Sequence, residues 1–182
     1  MHFIIKIFPV LLLLTALFAV NQSFGQSRNS IGIGAGINMP LQDGYRVGRH
    51  RVVQANLFSK NRWSLMPTLG WETIAGGHKG IDNGSYYSES KPGADLVLLN
   101  LAGKYYFSNR WFAYAGPSVY LGSYDGGTID WGGTLGAGYD WAFDDYSSVE
   151  FSLRTDILPV NRQTIPVAGF RVAYKFNFSR KY

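Results

Sequence analysis

The chain has 182 residues, no cysteine, a formal net charge of +5, and equal aromatic and charged shares of 16% each. Without cysteine there are no disulfides, so the fold must hold by packing and hydrogen bonds alone, and the scattered Lys and Arg lack the dense basic run of a nucleic-acid binder. So small a charged share is also poor cover for a soluble β-protein of this size.

An export signal is expected over residues 1–25. Met1–Lys6 carries one positive charge, and Phe8–Val20 is an uncharged apolar run. Ser23 and Gly25 are then the small residues of a cleavage site before Gln26. Pro9 and the shortness of the run set it apart from a spanning helix, which needs about 20 apolar residues. Residues 26–182 read as a single domain. No later stretch is apolar enough for a membrane helix, so any crossing falls to strands, and in lipid only a closed barrel pairs every backbone group.

Eight strands are predicted, over Ser30–Leu41, Arg49–Phe58, Arg62–Ile74, Asp95–Phe107, Arg110–Tyr124, Ile129–Phe143, Ser147–Ile157 and Thr164–Tyr182. Each supplies the roughly 9–11 residues that a tilted crossing strand needs. Along most of them every second residue is apolar, the period of a strand with one greasy face. Ile31, Ile33, Ala35, Ile37 and Met39 form that face in the first strand, and Trp63, Leu65, Pro67, Leu69 and Trp71 in the third. In the last it is Phe170, Val172, Tyr174, Phe176 and Phe178. The second strand is the weakest, with Val53, Ala55 and Leu57.

The connections are expected to alternate short and long. Ser59-Lys60-Asn61, Ser108-Asn109 and Asp144-Asp145-Tyr146 have the composition of tight turns. Gln42–Gly48, Ala75–Ala94, Asp125–Thr128 and Leu158–Gln163 read as longer loops at the other end. Phe58-Ser59-Lys60-Asn61-Arg62-Trp63 is echoed by Phe107-Ser108-Asn109-Arg110-Trp111, which sets Phe and Trp at one depth as an interfacial aromatic girdle requires. Taken together, the pattern is an all-β, eight-stranded antiparallel up-and-down transmembrane barrel. The rival is a soluble barrel with the apolar face turned inward around a ligand. Aromatics at strand ends and mid-strand charges beside glycines favour the membrane form.

The polar face carries the chemistry of the lumen. Glu72, Lys104, Asp140, Glu150, Arg154, Arg171 and Lys175 are expected to form a buried ion-pair network. Glu150 falls near Arg171 and Lys175, Asp140 falls beside Glu150, and Glu72 with Lys104 forms a second pair. The glycine runs Gly32–Gly36 and Gly132–Gly138 lie inside strands, so they are not phosphate loops, which need a following helix. Phe112, Tyr114 and Tyr120 are expected to fill the space the glycines leave. His50 and His78 are both expected in loops, without the three or four ligands of a metal site. No metal, cofactor or catalytic residue is expected. Arg46, Arg49 and Arg51 are candidates for lipopolysaccharide phosphate contact, with Arg49 and Arg51 pointing outward. His78, Tyr86 and Tyr87 mark the long loop as a recognition surface.

Residues 26–182 resemble the OmpX/OmpA-like outer-membrane β-barrel domain family, including its PorT-like members. The resemblance rests on strand pattern and on the closing segment Gly169-Phe170-Arg171-Val172-Ala173-Tyr174-Lys175-Phe176-Asn177-Phe178. Tyr182 stands where the family often has Phe, and Arg180 and Lys181 interrupt the final alternation. The resemblance implies insertion by the outer-membrane assembly machinery and carries over no active site. The expected protein is a non-enzymatic, monomeric outer-membrane scaffold with periplasmic termini, in contact with lipid or lipopolysaccharide and with an envelope protein. A narrow pore, an accessory barrel for secretion or envelope assembly, and a lipid-modifying enzyme are the alternatives.

Overall fold

The computed structural model describes residues 29–60, 62–79, 89–90, 93–122, 129–160 and 163–178. The expected export signal lies outside these residues. In chain order the strands are β1 (Ser30–Pro40), β2 (Tyr45–Lys60), β3 (Trp63–Gly76), β4 (His78–Lys79), β5 (Glu89–Ser90), β6 (Ala94–Tyr106), β7 (Trp111–Gly122), β8 (Ile129–Ala142), β9 (Ser147–Val160) and β10 (Gln163–Asn177). Eight of them close a barrel in the order β1-β10-β9-β8-β7-β6-β3-β2, and β4 pairs with β5 in a separate two-residue ladder.

Every barrel neighbour is antiparallel. β1 closes the ring, with Ser30 opposite Asn177 on one side and Asn56 on the other. Followed once around the ring, the register returns about ten residues along the starting strand, which for eight strands corresponds to a tilt of roughly 40°. A barrel this narrow has room for side chains and little else.

The two faces separate as the period-2 pattern requires. Ile33 is 66% exposed and Trp131 73%, while Lys104 and Glu150 are fully buried. The large apolar side chains therefore form the outer wall and the charges fill the lumen. Phe112, Tyr114 and Tyr120 do lie over the β8 glycines. A Cβ at Gly138 would stand 2.5 Å from the Phe112 ring, and one at Gly132 2.7 Å from the Tyr120 ring.

Both described chain ends lie at the end of the barrel that holds the three tight turns. There Asn29 accepts from Ser59 N at 3.0 Å through Oδ1 and from Phe178 N at 3.0 Å through its carbonyl. The turns use local side-chain acceptors, as Asp and Ser favour. Asp144 Oδ1 accepts from Tyr146 N at 2.7 Å and Ser147 N at 2.6 Å, and Ser108 Oγ accepts from Trp111 N at 3.1 Å. An aromatic belt rings the outer wall at this end. Trp63 meets Tyr105 with ring centres 4.8 Å apart, Trp111 meets Tyr139 at 5.1 Å, and Trp141 meets Phe143 at 5.2 Å.

At the opposite, loop end the expected boundaries need correction. β2 begins at Tyr45 instead of Arg49, so the loop expected over Gln42–Gly48 shrinks to residues 41–44. A register shift between Arg46 and Arg49 explains the difference. Val47 is an extra outward residue there, and this bulge breaks the alternation that marks a strand in sequence. Gly48 is required at this point, because any Cβ would run into the Thr73 carbonyl. β9 likewise reaches Val160 and β10 starts at Gln163, leaving residues 161–162 where a longer Leu158–Gln163 loop was expected. The β1–β2 connection is thus tight. A second irregularity lies between Leu57 and Lys60, where Phe58 adopts a positive φ of 52° and turns outward into the aromatic belt.

The lumen holds two apolar clusters besides its charges. Ile74, Leu96, Leu98, Tyr120, Leu158, Ile165 and Val167 are packed together at the loop end. Met66, Ala102, Tyr106, Phe112 and Tyr114 line the β3–β6–β7 side nearer the turns.

Candidate functional site: a charge-paired lumen and an arginine-marked wall

Glu150 on β9 is the centre of the lower lumen. Its carboxylate is 2.5 Å from Lys104 Nζ on β6, 3.1 Å from Arg171 Nη2 and 3.2 Å from Lys175 Nζ, the last two on β10. Gln54 Nε2 donates to it from β2 at 3.2 Å. Lys175 also pairs with Asp140, which accepts from the Tyr106 hydroxyl at 3.3 Å. The Lys104 ammonium sits 3.7 Å from the centre of the Phe112 ring, so an aromatic face supplements its carboxylate.

Glu72 on β3 is the centre of the upper lumen. Arg154 Nη2 lies 2.7 Å from Glu72 Oε1, and Asn38 donates to the same carboxylate. His50 Nδ1 approaches Glu72 Oε1 to 2.5 Å, close in distance but off the hydrogen-bonding direction. Arg154 Nη1 reaches Asp156 Oδ2 at 3.0 Å. From Asp156 a neutral chain runs through Thr134 at 2.6 Å and Ser118 at 2.9 Å to Asn100 at 2.9 Å. Asn100 also donates to the Pro117 carbonyl at 3.0 Å.

The seven residues expected in the lumen are all there, and they divide differently from the expectation. Glu72 and Lys104 do not pair. Lys104 crosses the lumen to Glu150, and Glu72 takes Arg154, because the tilt sets residues of non-neighbouring strands opposite one another. His50 is not a loop residue; it is fully enclosed on β2 beside Glu72. Asp156 is a charged participant that escaped the sequence reading. It shares the parity of Arg154, so the signal was present. Among the described residues, four lumen carboxylates (Glu72, Asp140, Glu150 and Asp156) meet four cations (Lys104, Arg154, Arg171 and Lys175), which makes the interior charge-balanced.

Arg46, Arg49 and Arg51 are exposed on β2, outside the barrel. Arg51 stands opposite Trp71 on β3 and Ala35 on β1, and Arg49 opposite Thr73 and Ile37. Tyr86 and Tyr87 lie outside the described residues, and of His78 only its backbone place in β4 is described.

No protein-family model matches the chain, and no curated protein does. Solved structures match over nearly their whole length. Neisserial surface protein A (NspA) is 11% identical, with 85% of this chain and 99% of that chain covered and a TM-score of 0.57. The outer membrane protein OprG from Pseudomonas aeruginosa is 10% identical, with 86% and 99% covered and a TM-score of 0.56. At such identity the likeness is one of fold, that of a small eight-stranded β-barrel.

Proposed function

We propose that the chain is a non-enzymatic, monomeric barrel of a bacterial outer membrane, a rigid scaffold with periplasmic termini whose loop end faces outward. The observation that carries this reading is the inverted distribution of polarity. A soluble barrel turns its apolar face to the lumen, whereas here the wall carries Ile, Leu, Trp and Phe and the lumen carries the charges. A belt of Trp, Tyr and Phe at the turn end suits a membrane–water interface. In this reading the shape shared with OprG extends to its setting, the outer membrane.

Charges engaged with one another are poorly placed for chemistry on a substrate, which supports a structural lumen over a catalytic one. Export through residues 1–25, insertion by the outer-membrane assembly machinery, and contacts of Arg46, Arg49 and Arg51 with lipopolysaccharide phosphates belong to the same proposal. So does recognition of an envelope partner by the loop that carries His78, Tyr86 and Tyr87, with the PorT-like resemblance pointing to envelope assembly. The test is electrophoresis of membrane extracts kept cold or boiled. The cold sample is expected to migrate as a compact band that shifts on boiling. One band position for folded material in both samples would sink the reading.

A further inference from the structure

The wall is not uniformly filled. Across β3, β2, β1 and β10 one outward row reads Trp71, Arg51, Ala35, Val172, and the next row toward the turns reads Leu69, Val53, Ile33, Tyr174. Ala35 is the small residue in this patch, and around it the wall forms a groove of about 750 Å³ lined by Ile33, Val53, Trp71, Val172 and Tyr174. Arg51 is its charged lining residue. That volume lies in the range of small-molecule sites, roughly 300–1,000 Å³. A second wall groove of about 540 Å³, between Pro67, Leu101 and Pro117, has no charged residue in its lining and so selects nothing by charge.

Arg51 is seven residues along β2 from Phe58 in the aromatic belt, roughly 18 Å along the barrel axis at the tilt above. An apolar band is roughly 25 Å tall, so Arg51 stands inside its upper part. Among the described residues no carboxylate pairs with Arg51 or Arg49. An unpaired guanidinium in hydrocarbon is costly. Its long stem lets the head rise toward the headgroups, where phosphate matches its forked donors.

From this we infer that the β1–β2–β10 groove binds one acyl chain of an anionic lipid, whose phosphate is held by Arg51 with Arg49 two residues above. The inference rests on the membrane-barrel reading and deepens it. The chain lies on Ala35 between Trp71 and Tyr174, and the headgroup points to the loop end.

Native mass spectrometry of the purified mature protein in detergent tests this. The probes are long-chain phosphatidylglycerol, phosphatidylcholine of the same acyl composition, and dihexanoyl phosphatidylglycerol. Retention of long-chain phosphatidylglycerol is expected to exceed that of the other two by about tenfold, the scale of one lost charge-assisted contact. Arg51→Gln should abolish the preference over phosphatidylcholine. Ala35→Phe, which fills the groove from the outer wall, should lower retention with Arg51 intact, and Arg110→Gln at the turn end should change nothing. Wild-type retention by Ala35→Phe, or equal retention of the two long-chain lipids, overturns the proposal. Both variants are scored only with the cold-versus-boiled shift intact, with Ala35→Leu replacing Ala35→Phe if needed. A missing shift in the wild type would indict the barrel reading instead.

Discussion

Glu150 is ion-paired with Lys104, Arg171 and Lys175 at once, with no exposed surface of its own. Removing it leaves three cations facing each other in a narrow space, and breaking a buried pair from one side costs about 3–5 kcal/mol. Glu150→Ala is therefore expected to lower unfolding stability by that order in a urea titration followed by gel shift. Arg110→Ala, which removes an exposed 2.8 Å bond to the Tyr139 hydroxyl, should cost less than about 1 kcal/mol. Equal losses would mean that the lumen network contributes no more than a surface contact. At this scale the sequence was informative about membership and silent about partners. Parity along a strand identifies an inward Glu or Lys. It does not say that Lys104 on β6 reaches across to β9.

Between elements, the glycines of β8 and the aromatics of β7 act as one unit. Gly136 and Tyr114 are register partners, and a Cβ on Gly136 would stand 2.5 Å from the Tyr114 hydroxyl oxygen. Gly136→Ala thus overpacks the lumen, a change that costs about 1–3 kcal/mol. Tyr114→Leu opens the same space. The two losses are expected to be less than additive, with a coupling of about 1 kcal/mol in a double-mutant cycle. Strict additivity would show that Tyr114 does not cover the glycine. This pairing was legible from glycines and aromatics alternating at matching parity. The early start of β2 was not, because the bulge at Val47 and Gly48 shifts the parity and resembles a loop when read locally. His50 lies inside the expected second strand, Arg49–Phe58, at the parity of Gln54, so its inward place was legible and the loop expectation ran against the strand pattern.

Over the whole molecule the lumen is closed twice. Charge pairs fill its middle and turn-side half, and the loop end carries an apolar plug of Ile74, Leu96, Leu98, Tyr120, Leu158, Ile165 and Val167. An ion entering from the loop side meets apolar packing before it meets charge. The purified barrel is therefore expected to show no large, steady conductance steps in planar bilayers, and such steps would favour the pore alternative. The sequence by itself determined that there are eight strands, which face of each is apolar, and where the three tight turns of the turn end fall. These are local properties, set by a two-residue period and by turn chemistry. The tertiary structure decided which acid meets which base and that an apolar plug caps the loop end. Each of these depends on the stagger and tilt of strands that are not neighbours in the ring, a relation that no local pattern along the chain encodes.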